Sequence, residues 1–194
     1  MKWYTIGSLT VPASQLALGL AFLLIALYLW WKKEKDLLDV YGNTVLLFIL
    51  VWKFSIALFS FSLVIEAPMS LLYFNGGDRG VWLAVIVAFI YIAWKWPRQQ
   101  WYDAIKIWLI VITLFELLLA MLSGQVGLFH ILRLTGGILA VSFFSKAPLQ
   151  ALLLFTLWQL LFESWEGAVF STNGLLYIGV AIGFILIRRG KTVG

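Results

Sequence analysis

The stretch LALGLAFLLIALYLWWKKEK, residues 16–35, decides what kind of protein this is. Its apolar run carries no charge as far as Trp31 and then meets Lys32, Lys33 and Lys35. A hydrocarbon core about 30 Å thick takes about 20 helical residues to cross. Counted from residue 10, the run is long enough, and the lysines mark a stop at the water boundary. A cleavable leader would end in small residues instead, so this segment is expected to persist as a membrane helix.

The rest of the chain repeats the pattern. Of 194 residues, 63% are hydrophobic and only 12% charged, against the 45–50% and roughly 25% of soluble domains. Mean hydropathy is +0.98. Aromatic residues make up 17%, with 11 Trp, many at the ends of apolar runs where an interfacial belt would place them. A water-soluble fold would expose far too much of this surface. The net charge of +5 is explained by basic loops, so no nucleic-acid partner is implied. With no Cys and one His, disulfides and thiol redox chemistry are excluded, and neither a metal site nor a cofactor is expected.

Seven runs are candidates, roughly 10–31, 42–65, 80–96, 104–122, 127–144, 148–163 and 168–187, of which the third and sixth are short. Backbone groups in lipid need internal partners and no period-2 alternation is present, so the expected fold is an all-α polytopic bundle of about seven transmembrane helices. Residues 1–194 read as a single transmembrane domain, with no repeat and no loop long enough for a soluble one. Lys32, Lys33 and Lys35 follow the first run. Lys95, Arg98 and Lys106 surround the third junction, Lys146 lies in the fifth, and Arg188, Arg189 and Lys191 follow the last run. The other loops carry Glu66, Asp78 with Arg79, and Glu163 with Glu166. All basic-rich loops thus fall on one side, which predicts an outside N-terminus and a cytoplasmic C-terminus.

Ionisable groups inside such runs are costly and are functional candidates by default. Lys53, in FILVWKFSIALF (48–59), can pair with a carboxylate or present its ammonium to an anionic headgroup. Glu116, in ITLFELLLAML (112–122), is a candidate for a structural polar pair, with Lys53 as a plausible partner. His130 and Arg133, in GLFHILRLTGG (127–137), are three apart and share a helix face. They are the catalytic candidates: the imidazole can act as acid or base, or simply stack, and the guanidinium can fork onto phosphate or snorkel. Met69 reads as a packing residue. In LLYFNGGDRG (71–80), Gly76 and Gly77 before a helix can offer N–H groups to an anion, with Arg79 adding charge. The same residues serve equally as a turn, with Asp78 opening the helix. No catalytic triad, HExxH motif or strand-bound P-loop is present.

Five stretches, in the same chain order, resemble the prolipoprotein diacylglyceryl transferase family. PMSLLYFNGGDRGVWLAVIVAFIYIA (68–93) is similar to its outer loop and third span, and LLFILVWKFSIALFSF (46–61) to its second, with Lys53 on an arginine. ILRLTGG (131–137) is similar to part of the family signature, with Arg133 on the signature arginine. APLQALLLFTLWQLLF (147–162) and EGAVFSTNGLLYIGVAIGF (166–184) are similar to the last two spans, with Tyr177 on a functional tyrosine. The resemblance implies seven spans in a bacterial-type plasma membrane and a lipid site at the outer leaflet. It also implies phosphatidylglycerol as the bound phospholipid and a lipoprotein, or another membrane protein, as partner. Lys53, Asn75, Gly76, Gly77, Arg79, Arg133 and Tyr177 would then hold the headgroup.

The departures fall on the chemistry. Asn75 stands where the family has a loop histidine, LTGGILA replaces the Asn and Glu expected after the arginine, and Ala181 stands where a late arginine is expected. The chain is also shorter than typical members. An amide carries no proton for acid–base work, and losing a positioned acid–base group costs about 10²–10⁴ in rate. The expectation is therefore a non-catalytic lipid- or lipoprotein-binding subunit or chaperone. The alternative is an active transferase moving a diacylglyceryl or acyl group to a lipoprotein cysteine.

Overall fold

Ala13, Ala17, Ala21, Ile25 and Leu29 recur every four residues and are all at most 3% exposed. That spacing makes one narrow, small-residue face on helix α1 (Ala13–Trp31), along which a neighbouring backbone can approach closely. Leu23, Leu24 and Leu27, on the other side, remain open. A computed structural model describes residues 2–7, 9–67, 75–97, 100–124 and 126–192. Met69 and Arg98 lie outside the described residues. The chain divides into two compact units, Met1–Tyr28 with Pro97–Gly194, and Leu29–Trp96.

The first unit opens with a two-stranded antiparallel hairpin, β1 (Trp3–Ile6) and β2 (Leu9–Pro12), in register Trp3↔Pro12 through Ile6↔Leu9. Gly7, at φ 63°, supplies the left-handed residue that a tight hairpin turn demands. The first helix therefore begins at Ala13, not at residue 10. The aromatic and β-branched residues of WYTI and LTVP favour pairing, and Pro12, with no N–H, closes the ladder and admits a helix after it. Tyr4 Oη donates to the carbonyl of Leu122 at 2.6 Å, which ties the hairpin to the end of a later helix.

That helix is α6 (Trp101–Ser123), which ends at left-handed Gly124, the usual residue for such a cap. After it come α7 (Leu128–Phe143), α8 (Pro148–Trp165) and α9 (Thr172–Thr192). Pro148 sits at the first turn of α8, where its missing N–H costs nothing. Helix α8 packs against α6, α7 and α9, and is the centre of this unit. Gly136 and Gly137 make room on α7. A Cβ at the first would collide with the Trp158 indole of α8, and one at the second would press on Thr113 of α6.

In the second unit α2 (Lys35–Phe54) lies along α5 (Gly77–Lys95), and two short helices, α3 (Ile56–Phe59) and α4 (Phe61–Glu66), follow α2. Gly80, Ala84 and Ala88 form the small buried face of α5. The expected single run 42–65 is corrected at both ends. It begins at Lys35, whose long side chain can reach water from the first turn, and it breaks at Ser60, which leaves helical geometry at φ −143°, ψ 52°. Ser55 Oγ has already bonded back to the carbonyl of Trp52 at 2.7 Å, a habit of serine that bends helices.

Four of the described helical segments are long and apolar enough to cross a membrane: Ala13–Trp31, Lys35–Phe59, Gly77–Lys95 and Trp101–Ser123. Leu128–Phe143 and Thr172–Ile187 are shorter apolar helices. Leu46, Ile49, Ile86, Ile90, Leu153, Leu157 and Leu161 are all more than a third exposed. Water would not tolerate so much exposed apolar surface on either unit, and hydrocarbon would.

Candidate functional site

Glu116, Gln159, Glu163 and Tyr177 of the first unit converge on Arg133. Helix α7 places it one and a half turns past Gly127, and the close approach permitted by Gly136 and Gly137 brings α6 and α8 within reach. Arg133 Nε donates to Glu116 Oε1 of α6 at 2.8 Å and to Gln159 Oε1 of α8 at 2.7 Å. Its Nη2 donates to Glu163 Oε1 of α8 at 2.9 Å and to Tyr177 Oη of α9 at 3.3 Å. Gln159 Nε2 donates to Glu116 Oε2 at 3.2 Å, and Ser171 Oγ to Glu163 Oε2 at 3.2 Å. Every carboxylate oxygen in the cluster accepts a bond.

The cluster is dry. Gln159 is 0% exposed and Glu163 4%, and the Arg133 side chain keeps only 14%. Two carboxylates surround one guanidinium, so its charge is fully countered before any ligand arrives. Trp158 Nε1 donates to the Arg133 carbonyl at 3.1 Å, and the Trp158 ring lies tilted against Phe162, which Phe129 meets edge to face. Ser171 also accepts from the N–H of Gly174 and so links the cluster to the start of α9.

Glu116, expected in a polar pair with Lys53 as partner, is paired with Arg133. Tyr177, expected at a headgroup, lies in the same network. His130, expected to share the Arg133 face, stacks on Phe129 at 5.9 Å and enters none of the network's hydrogen bonds. Glu163, read from the sequence as a loop charge, lies buried within α8 and in the network, and Gln159 and Ser171 escape a reading by charge and motif. The signal was available, since two polar residues four apart on an apolar helix share a face and point at one partner.

The remaining candidates belong to the second unit and meet at one end of its helix pair. The N–H of Gly76 donates to the Trp52 carbonyl at 3.2 Å, so the loop is fastened to the end of α2. A Cβ at Gly76 or Gly80 would collide with Ser55 Oγ, and only glycine allows this contact. Asn75 Oδ1 accepts from the N–H of Gly77, closing an Asx-type turn in which Gly77 takes φ 57°. Two of the N–H groups that an anion cradle would use are thus already engaged. Asp78 and Arg79 are exposed in the first turn of α5, and Lys53 lies half-buried in the last turn of α2. Basic groups from both helices therefore gather at the same level of the pair.

Among the described residues, no group of three or more His, Cys, Asp or Glu side chains could hold a metal ion. Comparison with protein-family models, with curated proteins and with solved structures finds no match.

Proposed function

We propose that this chain is a non-catalytic, lipid-holding membrane protein of the diacylglyceryl-transferase type. It crosses a bacterial-type plasma membrane seven times, with the N-terminus outside. It holds a phosphatidylglycerol-class headgroup where α2 meets α5, and serves a lipoprotein or another membrane protein as partner. The observation that carries the reading is Asn75. At the loop position that matches the family's histidine stands an amide, and its oxygen is spent on the turn of its own loop at 3.0 Å from Gly77 N. An amide cannot relay a proton.

Two further points support it. Arg133 is already neutralised by Glu116 and Glu163, so an incoming phosphate would meet two carboxylates as well as the guanidinium. Attraction for a headgroup then falls to Lys53 and Arg79, whose elements Gly76 and Gly80 hold together. The test is lipid retention. The chain released from bilayers of mixed phosphatidylglycerol and phosphatidylcholine should carry phosphatidylglycerol in native mass spectra. Lys53→Gln and Arg79→Gln should each lower that occupancy by about fivefold, the worth of one basic residue near a membrane surface. Equal retention of phosphatidylcholine would sink the proposal.

A further inference from the structure

A second feature lies at the other end of α2. Helix α1 ends in LYLWWKKEK, where the N–H of Lys33 donates to the Trp30 carbonyl at 3.0 Å and that of Glu34 to the Leu29 carbonyl at 3.2 Å. This is a Schellman cap, and its left-handed position is occupied by Lys33 at φ 60°, the one non-glycine residue with positive φ among those described. Glycine is the usual occupant because a side chain there costs about 1–2 kcal/mol. A lysine kept at that position, beside a cavity, asks for a use.

The cavity is about 460 Å³ and is lined by Leu29, Trp30, Trp31, Lys33, Glu34, Lys35 and Leu38. Its lining is graded. Leu29, 3% exposed, forms an apolar floor, and Trp30 and Trp31, 69% and 75% exposed, stand as aromatic walls. Lys33 and Lys35 also line it and are exposed. Indoles favour the headgroup level of a bilayer and lysines favour its phosphates. Glu34, which precedes α2, makes no side-chain cap, so its carboxylate is not spent on the start of that helix. Glu34 and Asp36 offset two of the three lysines at 32, 33 and 35 and leave the corner weakly positive. A bare anion gains little from so small an excess. A phosphodiester whose headgroup also carries hydroxyl donors gains more, because Glu34 can accept from them while a lysine binds the phosphate.

We infer that the α1–α2 corner is a second lipid site, specific for an anionic glycerophospholipid with a hydroxyl-bearing headgroup, and that Lys33 is its phosphate-binding residue. It is separate from the site proposed above, at the far end of a 20-residue helix about 30 Å long. Lys33→Gly tests it cleanly, because glycine fits the left-handed cap better than lysine and the corner keeps its shape. In native mass spectra of the full chain from mixed phosphatidylglycerol and phosphatidylcholine bilayers, Lys33→Gly should lower phosphatidylglycerol occupancy about fivefold at this site. Its thermal midpoint in detergent should hold or rise. Arg79→Gln should independently lower occupancy of the other lipid by about fivefold, and the double variant should show both losses. Unchanged occupancy in Lys33→Gly, with the Arg79→Gln loss intact, would overturn the corner site and leave the first proposal standing. Displacement of the bound lipid by millimolar inorganic phosphate would also overturn it, since the site would then be one for free anions.

Discussion

Arg133 shows how a single buried charge organises its surroundings. Interhelical hydrogen bonds in membranes contribute about 0.6 kcal/mol each on average, so the separate bonds of this cluster are individually modest. The buried charge matters more. Removing one partner of a buried ion pair costs about 3–5 kcal/mol, because the survivor is left uncompensated. Arg133 has a second carboxylate in Glu163, so Glu116→Ala should fall at the low end, about 3 kcal/mol. Glu116→Gln, which keeps the shape and one acceptor, should lose less. Chemical unfolding in detergent micelles measures both. A Glu116→Ala variant as stable as the parent would mean that the cluster does not hold α6, α7 and α8 together.

At the scale of elements, glycine determines which helices meet. Gly76 and Gly80 seat α5 on Trp52 of α2 and on Ser55, which caps it, as Gly136 and Gly137 seat α7 on Trp158 and Thr113. Gly80→Ala should force that helix pair apart and cost about 1–3 kcal/mol, the usual penalty for overpacking. It should also weaken phosphatidylglycerol retention, because Arg79 and Lys53 would no longer share a level. Retention unchanged in a destabilised Gly80→Ala would detach the lipid site from this contact. The helices themselves were legible in the apolar runs, since hydrophobicity and length act locally. The interruption at Ser60 and the strand at Leu9–Pro12 were not. Both depend on side-chain bonding and pairing that a sliding measure of hydropathy does not register. The Arg133 cluster was legible in part. Glu116, Arg133 and Tyr177 stood out by charge or resemblance, whereas Gln159 and Ser171 are uncharged and acquire meaning only when α8 and α9 are in place.

Across the whole molecule two charge clusters contrast. Glu116, Arg133 and Glu163 of the first unit satisfy one another largely out of solvent, whereas Lys33, Lys35 and Arg79 of the second lie at the ends of its helices and stay exposed. A catalyst of group transfer would need the reverse, with a proton acceptor and an uncommitted cation facing the substrate. Turnover is therefore the direct test of a non-catalytic role. Purified chain in phosphatidylglycerol bilayers, incubated with a peptide bearing a lipoprotein-type cysteine, should leave the peptide mass unchanged while native spectra of the same sample carry bound phosphatidylglycerol. A peptide gaining one diacylglyceryl group, in a reaction abolished by Arg133→Ala, would contradict it.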